Sequence, residues 1–554
     1  MKHNLSKLIA IVVGMSLVAG CQQQASKQDA EVKQTVEQTQ PRNVLFISID
    51  DLRPEIGAYG SPIAKTPNID ALASKGITFT RAYAQQAICG PSRASIMTGL
   101  RPDTLEVTHN YVKFRHKFRD VKTIPQHFMQ NGYNASYVGK IFHHGDKDEE
   151  NSWNFPQATH LMPEDMQSPP IYALESNNKL RDEYKKLMFA KYGEQAKYGL
   201  GRGPATEGAD VPDYEYIDGY NAELGERTLA ELVKAGKPFF FGFGMNKPHL
   251  PWIAPKKYWD MYDEEAVKAT LAQTRQVAPK DGAAMGLHAS FELRTFSDVP
   301  NTEAIPDELA LQLKHSYLAC VSYVDEQIGR IIQALKDQGV YDNTVIILWS
   351  DHGFHLGDMG IWGKASNYEI ATRVPFIIST PETRAQGQAL KTDALVELLD
   401  IYPTAAELAN IPMPTHTEGT SLKPLLDNPN TKWKESALSQ FPTPALREWG
   451  AFPLRPGMRE TYFGELIVQV EQSIEQQFPH LWDKETFEQN VMGYSLRTDD
   501  YRLIAWMNSQ DKSAEPFYVE LYDHRVDPAE STNVATKQTQ QVARLMQILR
   551  TRIN

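Results

Sequence analysis

Asn43-Val44-Leu45-Phe46-Ile47-Ser48-Ile49-Asp50-Asp51 is the stretch on which the fold turns. Its apolar run is nearly unbroken and too short for a helix of ordinary length, which fits a strand buried on both faces of a parallel sheet. It ends on two adjacent carboxylates. Two other runs share this form: Phe239 to Met245 leads into Asn246-Lys247-Pro248-His249, and Thr344 to Trp349 leads into Ser350-Asp351-His352-Gly353. Between them an amphipathic helix is predicted from Leu311 to Lys336, with Gly339 as its C-cap. Polar residues therefore mass after strand ends in an α/β pattern. Ligands bind at that edge of open α/β sheets, so the three clusters are expected to converge on one crevice.

The texture changes near Phe441. Tyr494 to Thr498, Tyr501 to Trp506 and Tyr518 to Tyr522 read as short strands, and a final helix follows. This predicts a larger α/β domain over residues 43–440, carrying the strand-end clusters, and a smaller antiparallel-sheet subdomain over 441–554. The 554 residues, 41% hydrophobic and 23% charged, suffice for both. Residues 1–21 read as an export signal: Lys2 and Lys7, then an apolar stretch from Leu8 to Val18 too short to span a bilayer. Val18-Ala19-Gly20-Cys21 looks like a bacterial lipobox, implying cleavage before Cys21 and acylation of its thiol. Gln22 stands where an inner-membrane retention signal has Asp, and residues 22–42, without apolar period, read as a flexible tether. The expected location is a bacterial envelope, lipid-anchored at the outer membrane.

The formal charge of −12 means that the surface as a whole does not attract polyanions. Cations are concentrated locally in Lys113-Phe114-Arg115-His116-Lys117-Phe118-Arg119, where aromatic faces and basic groups suit an anionic glycan or simply make a solvated face. Nucleic acid is not an expected partner, since an exported acidic chain lacks a matching fold motif. The only cysteines are Cys21, Cys89 and Cys320, too few for a disulfide framework; Cys320 is expected in the core on a helix.

Two constellations carry chemistry. Asp50-Asp51 with Asp351-His352 offers hard oxygen ligands and one imidazole, a set that suits Ca²⁺ or Mg²⁺. Cys89-Gly90-Pro91-Ser92-Arg93 opens a predicted helix, where unsatisfied N–H groups face an anion. His143, followed by His144, His249 after a proline, and Lys364 in a Gly-containing loop have bland alternatives as surface, turn and solvated residues.

These residues resemble a known family. Cys89-Gly90-Pro91-Ser92-Arg93 is similar to the signature of the type I sulfatases, whose cysteine is oxidised to formylglycine. Asp50-Asp51-Leu52-Arg53-Pro54, Arg101-Pro102-Asp103-Thr104, Val138-Gly139-Lys140, Lys247-Pro248-His249, Ser350-Asp351-His352-Gly353, Trp362-Gly363-Lys364 and Met492-Gly493-Tyr494 extend the likeness over about residues 43 to 530. The pattern is closest to iduronate-2-sulfatases and their bacterial polysaccharide-sulfatase relatives, including ulvan-active ones. The resemblance implies an alkaline-phosphatase-like fold, a large, mostly parallel sheet sandwiched by helices. It implies Ca²⁺ held by Asp50, Asp51, Asp351, His352 and an oxygen of the modified Cys89. Arg93 would steady the aldehyde hydrate, Lys140 and His143 would flank it, and His249 and Lys364 would meet the sulfate and the leaving oxygen. It also implies a formylglycine-generating maturation enzyme as a partner.

The implied activity is sulfate-ester hydrolysis on a sulfated polysaccharide, with 3-sulfated rhamnose of ulvan ahead of 2-sulfated iduronate of glycosaminoglycans. Lys113, Arg115 and Lys117 are the expected glycan contacts. Phe354, His355 and Ala365 depart from the iduronate-2-sulfatases and are expected near the sugar. The competing readings are a phosphate or phosphonate ester hydrolase of the same superfamily and a non-catalytic glycan-binding lipoprotein.

Overall fold

Seven strands make the central sheet, in the order Leu390–Thr392, Ile77–Phe79, Phe376–Ser379, Thr344–Ser350, Asn43–Ile49, Phe239–Gly244 and Asn134–Gly139. The structure is a computed structural model that describes residues 41–274, 277–447 and 457–553. The last four strands in that order run parallel; only Phe376–Ser379 opposes its neighbours. All of Asn43–Ile49 is buried, as a central strand covered on both faces requires. Leu45, Ile47 and Ile49 face one apolar cluster, and Val44 and Phe46 face the other.

The first cluster is covered by the long helix Asp307–Asp337, which contributes Leu313, Tyr317, Val321, Val324 and Ile328. This helix starts earlier than its apolar period suggests, because Pro306 sets the entry and Asp307 and Glu308 complement the N-terminal dipole. Gly339, at φ 69°, makes the left-handed exit. Cys320 sits fully buried on this helix with its thiol directed at Ile253 O, 3.5 Å away. The second cluster takes Ile96 and Met97 from the helix Cys89–Thr98.

The second sheet has four antiparallel strands, Ala437–Pro442, Val491–Arg497, Tyr501–Asn508 and Tyr518–Asp523, followed by the helix Thr539–Ile553. The expected boundary at 440/441 therefore falls inside a strand. Gln440 N donates to Gln85 O at 2.8 Å, so this strand also stitches the sheet to the main body, and the chain from Pro41 onward is one compact unit. The expected leader, Cys21 and all but the last two residues of the tether lie outside the described residues. Arg42 is already tied to Glu382 and to Leu408 O. Among the described residues no helix is long and apolar enough to cross a membrane.

Candidate active site

Four parallel strands end at one edge of the sheet, and each delivers polar side chains there. Asn43–Ile49 delivers Asp50 and Asp51, Thr344–Ser350 delivers Asp351 and His352, Phe239–Gly244 leads to His249, and Asn134–Gly139 to Lys140 and His143. The register sets Ile49 opposite Ser350, which brings the carboxylates that follow side by side. Asp51 takes a left-handed φ of 66° and is held there on three sides. Its N–H donates to Asp351 Oδ1 at 3.1 Å, the next N–H donates to Ser350 Oγ at 3.0 Å, and Tyr317 Oη donates to Asp51 O at 2.9 Å.

The helix Cys89–Thr98 runs away from this edge with Cys89 at its first turn, 2% exposed. The Cys89 thiol, standing where the expected aldehyde hydrate would be, lies 3.3 Å from His352 Nε2 and 4.0 Å from Asp51 Oδ1. Burial, then the Asp50 carboxylate, pushes the thiol well above its ordinary range, so it is not a thiolate. Arg93, one turn along, is fully buried and spends its donors on Asp351 Oδ2 (2.8 Å), Asp50 Oδ1 (3.3 Å), Lys140 O (2.6 Å) and Ile141 O (2.9 Å). It thus braces the carboxylates. Lys140 pairs with Asp50. Burial pushes the Asp50 carboxyl up, but Lys140, with His249 and Arg93 behind it, holds it well below the usual range.

Asp50, Cys89, Asp351 and His352 bring ligand atoms within 4.8 Å of one another, all buried. His352 Nδ1 faces Gly353 O at 3.0 Å; a carbonyl only accepts, so Nδ1 carries the proton and the Nε2 lone pair faces Cys89 and Asp51. For Asp51, burial and the neighbouring carboxylates outweigh Lys364 and push the carboxyl well up, so the cluster is short of positive charge. A buried set of carboxylates with one imidazole lone pair fits a hard divalent cation.

On the open side stand His249, Lys364 and a residue that sequence reasoning missed, Glu292. His249 Nδ1 donates to Leu250 O at 2.6 Å, leaving Nε2 to face the site. Lys364 Nζ lies 3.0 Å from Asp51 Oδ2 and 3.4 Å from Glu292 Oε2. Glu292 Oε1 is 3.6 Å from His249 Nε2 and 3.4 Å from Arg202. Burial raises the Glu292 carboxyl, but Lys364, His249 and Arg202 together hold it well below its usual range. Glu292 lies between Phe291 and Leu293 in irregular backbone, where no periodicity marks it.

His143 lines a cavity of about 220 Å³ beside the nucleophile helix, with Gly90, Asn110, Lys113, Phe114 and Asp146. Burial, then Lys140, pushes His143 down to about 3, so its ring is neutral at pH 7. The expected glycan contacts separate here. Lys113 is on the cavity wall, whereas Arg115 forks Asp148 at 2.5 and 2.6 Å and also holds Gln126 and two carbonyls, and exposed Lys117 pairs with Glu106. In this structure Arg115 braces its own loop. Phe354, His355 and Ala365, expected near the sugar, are fully buried: the short pairing of His355–Leu356 with Trp362–Gly363 turns them inward, Phe354 onto Trp252 and His355 onto Ser366 Oγ.

The loop after Lys364 is held from below by the second sheet. Ser495 Oγ donates to Asn367 O at 2.9 Å, and fully buried Arg502 reaches Asn367 O (3.2 Å), Ser495 Oγ (2.6 Å), Glu369 Oε2 (2.5 Å) and Glu530 Oε1 (2.5 Å). Arg497 and His524 complete this cluster.

Comparison with known proteins agrees with this geometry. The sequence matches the sulfatase family over residues 42–411. It is 31% identical to iduronate 2-sulfatase of Mus musculus, over 90% of this chain and 91% of that one. It is 27% identical to an ulvan-active sulfatase of Formosa agariphila, over 82% of this chain and 77% of that one. The crystal structure of phosphonate monoester hydrolase of Agrobacterium radiobacter superposes with a TM-score of 0.61 at 22% identity, covering 93% of this chain and 96% of that one, a likeness of fold.

Proposed function

The chain belongs to the sulfatase family and is a sulfuric ester hydrolase; on that footing we propose that it releases sulfate from a sulfated glycan through formylglycine at position 89 and a bound Ca²⁺. The observation that carries this is the buried Cys89, at a helix start, against His352 and Asp51 and inside a ring of three carboxylates and three cations. The modified residue supplies a geminal diol, one hydroxyl to attack sulfur and a second whose deprotonation expels sulfate by C–O cleavage. Asp50, Asp51, Asp351 and His352 would hold the metal, which draws charge from the transferring sulfuryl group and lowers the pKa of the attacking hydroxyl.

Lys140 and Lys364 flank the reacting oxygens with fixed positive charge. Burial, then Lys364, pushes His249 well toward its neutral form, with the proton on Nδ1, so Nε2 takes up a proton from solvent before handing it to the departing alkoxide. His143, neutral at pH 7, accepts the proton of the second hydroxyl. The cavity beside His143, with Lys113 on its wall, would receive the sugar.

The first candidate sugar is 3-sulfated rhamnose of ulvan, supported by the likeness to the Formosa agariphila sulfatase. The second, 2-sulfated iduronate, gains from the 31% identity to iduronate 2-sulfatase and from the burial of Phe354, His355 and Ala365, which removes them from sugar recognition. The lipobox at Cys21 and the tether behind it support an outer-membrane lipoprotein, matured by a formylglycine-generating enzyme.

The test is a peptide mass spectrum showing the aldehyde at residue 89, joined to sulfate release from ulvan and heparan oligosaccharides and from matching phosphate and phosphonate esters. Cys89→Ala should fold and lose turnover. Wild-type-like activity in that variant, or faster cleavage of the phosphorus esters, would refute the reading.

A further inference from the structure

We propose that Glu292 is the positioning residue for leaving-group departure: it holds His249 and Lys364 as one unit at the oxygen where the ester breaks. This rests on the reading of His249 and Lys364 given above. The carboxylate turns Oε2 to Lys364 Nζ at 3.4 Å, while Oε1 accepts from Arg202 at 3.4 Å and lies 3.6 Å from His249 Nε2, so Arg202 fixes the carboxylate from behind. Its side chain is 17% exposed, so this charge acts with little solvent screening.

The placement is built rather than incidental. Glu292 stands in a turn anchored by fully buried Phe291 and Leu293. Arg294 Nη1 donates to Pro300 O at 2.9 Å and Glu303 O at 2.8 Å, closing the loop behind it. Two further bonds fix this loop against the one that carries Lys364. His288 Nε2 meets Lys364 O at 2.8 Å, and Trp362 N donates to Ser290 Oγ at 2.9 Å. The backbone of Lys364 and the carboxylate that meets its ammonium therefore belong to one stitched assembly.

The chemistry follows from that geometry. Without Glu292, Lys364 keeps its pair with Asp51 and would be drawn toward the carboxylate cluster, away from the leaving oxygen. His249 would keep its Nδ1 bond to Leu250 O but lose the carboxylate that stands 3.6 Å from Nε2, the nitrogen that has to carry the proton. A proton delivered to the leaving oxygen matters greatly for a sugar alkoxide and little for a phenolate that departs unaided. Glu292 should thus matter in proportion to how poor the leaving group is.

The experiment compares wild type, Glu292→Gln and His249→Ala, each with its formylglycine content measured, on a sugar sulfate and on 4-nitrophenyl sulfate. Glu292→Gln is expected to lower kcat on the sugar sulfate by about 100-fold and on the aryl sulfate by less than about tenfold. His249→Ala should show the same bias, larger. Equal losses on both esters in folded Glu292→Gln would make the residue merely structural and overturn the proposal, as would no loss on either. If His249→Ala shows the bias and Glu292→Gln does not, only the role of Glu292 falls; if His249→Ala strikes both esters alike, the assignment of His249 fails and the role of Glu292 with it. Should Glu292→Gln not fold, Glu292→Asp, which keeps the charge on a shorter arm, carries the same comparison.

Discussion

Replacing Arg502 by methionine should unfold the protein earlier and disarm it from a distance. Arg502 is fully buried and pairs with Glu369 and Glu530, each at 2.5 Å. Removing one partner of a buried pair costs about 3–5 kcal/mol, because the other charge stays behind. Two carboxylates are left here, but Glu369 keeps Arg497 at 3.2 Å and Glu530 keeps His524 at 2.9 Å, so the figure for a single pair applies. That is a large share of the roughly 5–15 kcal/mol that holds most domains together.

The pH dependence has a definite sign. Burial raises both carboxyls, but Arg502, with Arg497 for Glu369 and His524 for Glu530, holds them below the usual range. A depressed carboxyl contributes stability that is present above its unfolded pKa of about 4.3 and lost as pH falls through the folded value. The gap between wild type and Arg502→Met should therefore be widest near neutrality and close in acid, where the variant protonates its stranded carboxylates. Urea unfolding followed by tryptophan fluorescence at neutral and acidic pH measures both terms. Because Arg502 also holds Asn367 O, kcat should fall at temperatures where the variant is still folded. A loss under about 1 kcal/mol, or an equal loss at both pH values, would refute the reasoning.

Two other outcomes follow from the site. Asp351→Asn should weaken divalent-metal binding, measured by calorimetry on the purified enzyme, and lower kcat by orders of magnitude, since Asp351 faces the ligand cluster and anchors Arg93 and Asp51 N–H; unchanged affinity would count against the metal assignment. Lys113→Ala should raise KM for oligosaccharides more than for an aryl sulfate, whereas Arg115→Ala should lower the melting temperature and leave that ratio alone; the reverse pattern would restore Arg115 as a glycan contact.

The strand ends were the most legible part of this chain. Three apolar runs ending in polar clusters were sufficient to place Asp50, Asp51, His249, Asp351 and His352 at one edge, because burial on both faces leaves an unmistakable composition. Ala437–Pro442 was missed: it holds only six residues, ends in proline, and takes its identity from Gln85 and from Val491–Arg497. Glu292 and Tyr317 escaped for a related reason. One sits in irregular backbone and the other looks like any apolar position of a long helix, so only tertiary contact reveals what they hold. The basic stretch was less legible, because cations adjacent in sequence diverge in space, Lys113 to the cavity and Arg115 into Asp148.

The 2% exposure of Cys89 would put a clock on the protein's own birth if that thiol is the one converted. Sγ lies under His352 and Asp51, and the walls around it are fixed by residues as far apart in sequence as 50 and 364. If Cys89 is converted to formylglycine, the enzyme that oxidises it would have to reach a thiol that the folded protein buries. On the formylglycine reading, conversion belongs to the interval between synthesis and collapse, and a molecule that folds first stays a thiol for life. The active fraction of any preparation then records the outcome of a race, and slowing the folding of the chain would raise it without altering a single atom of the site.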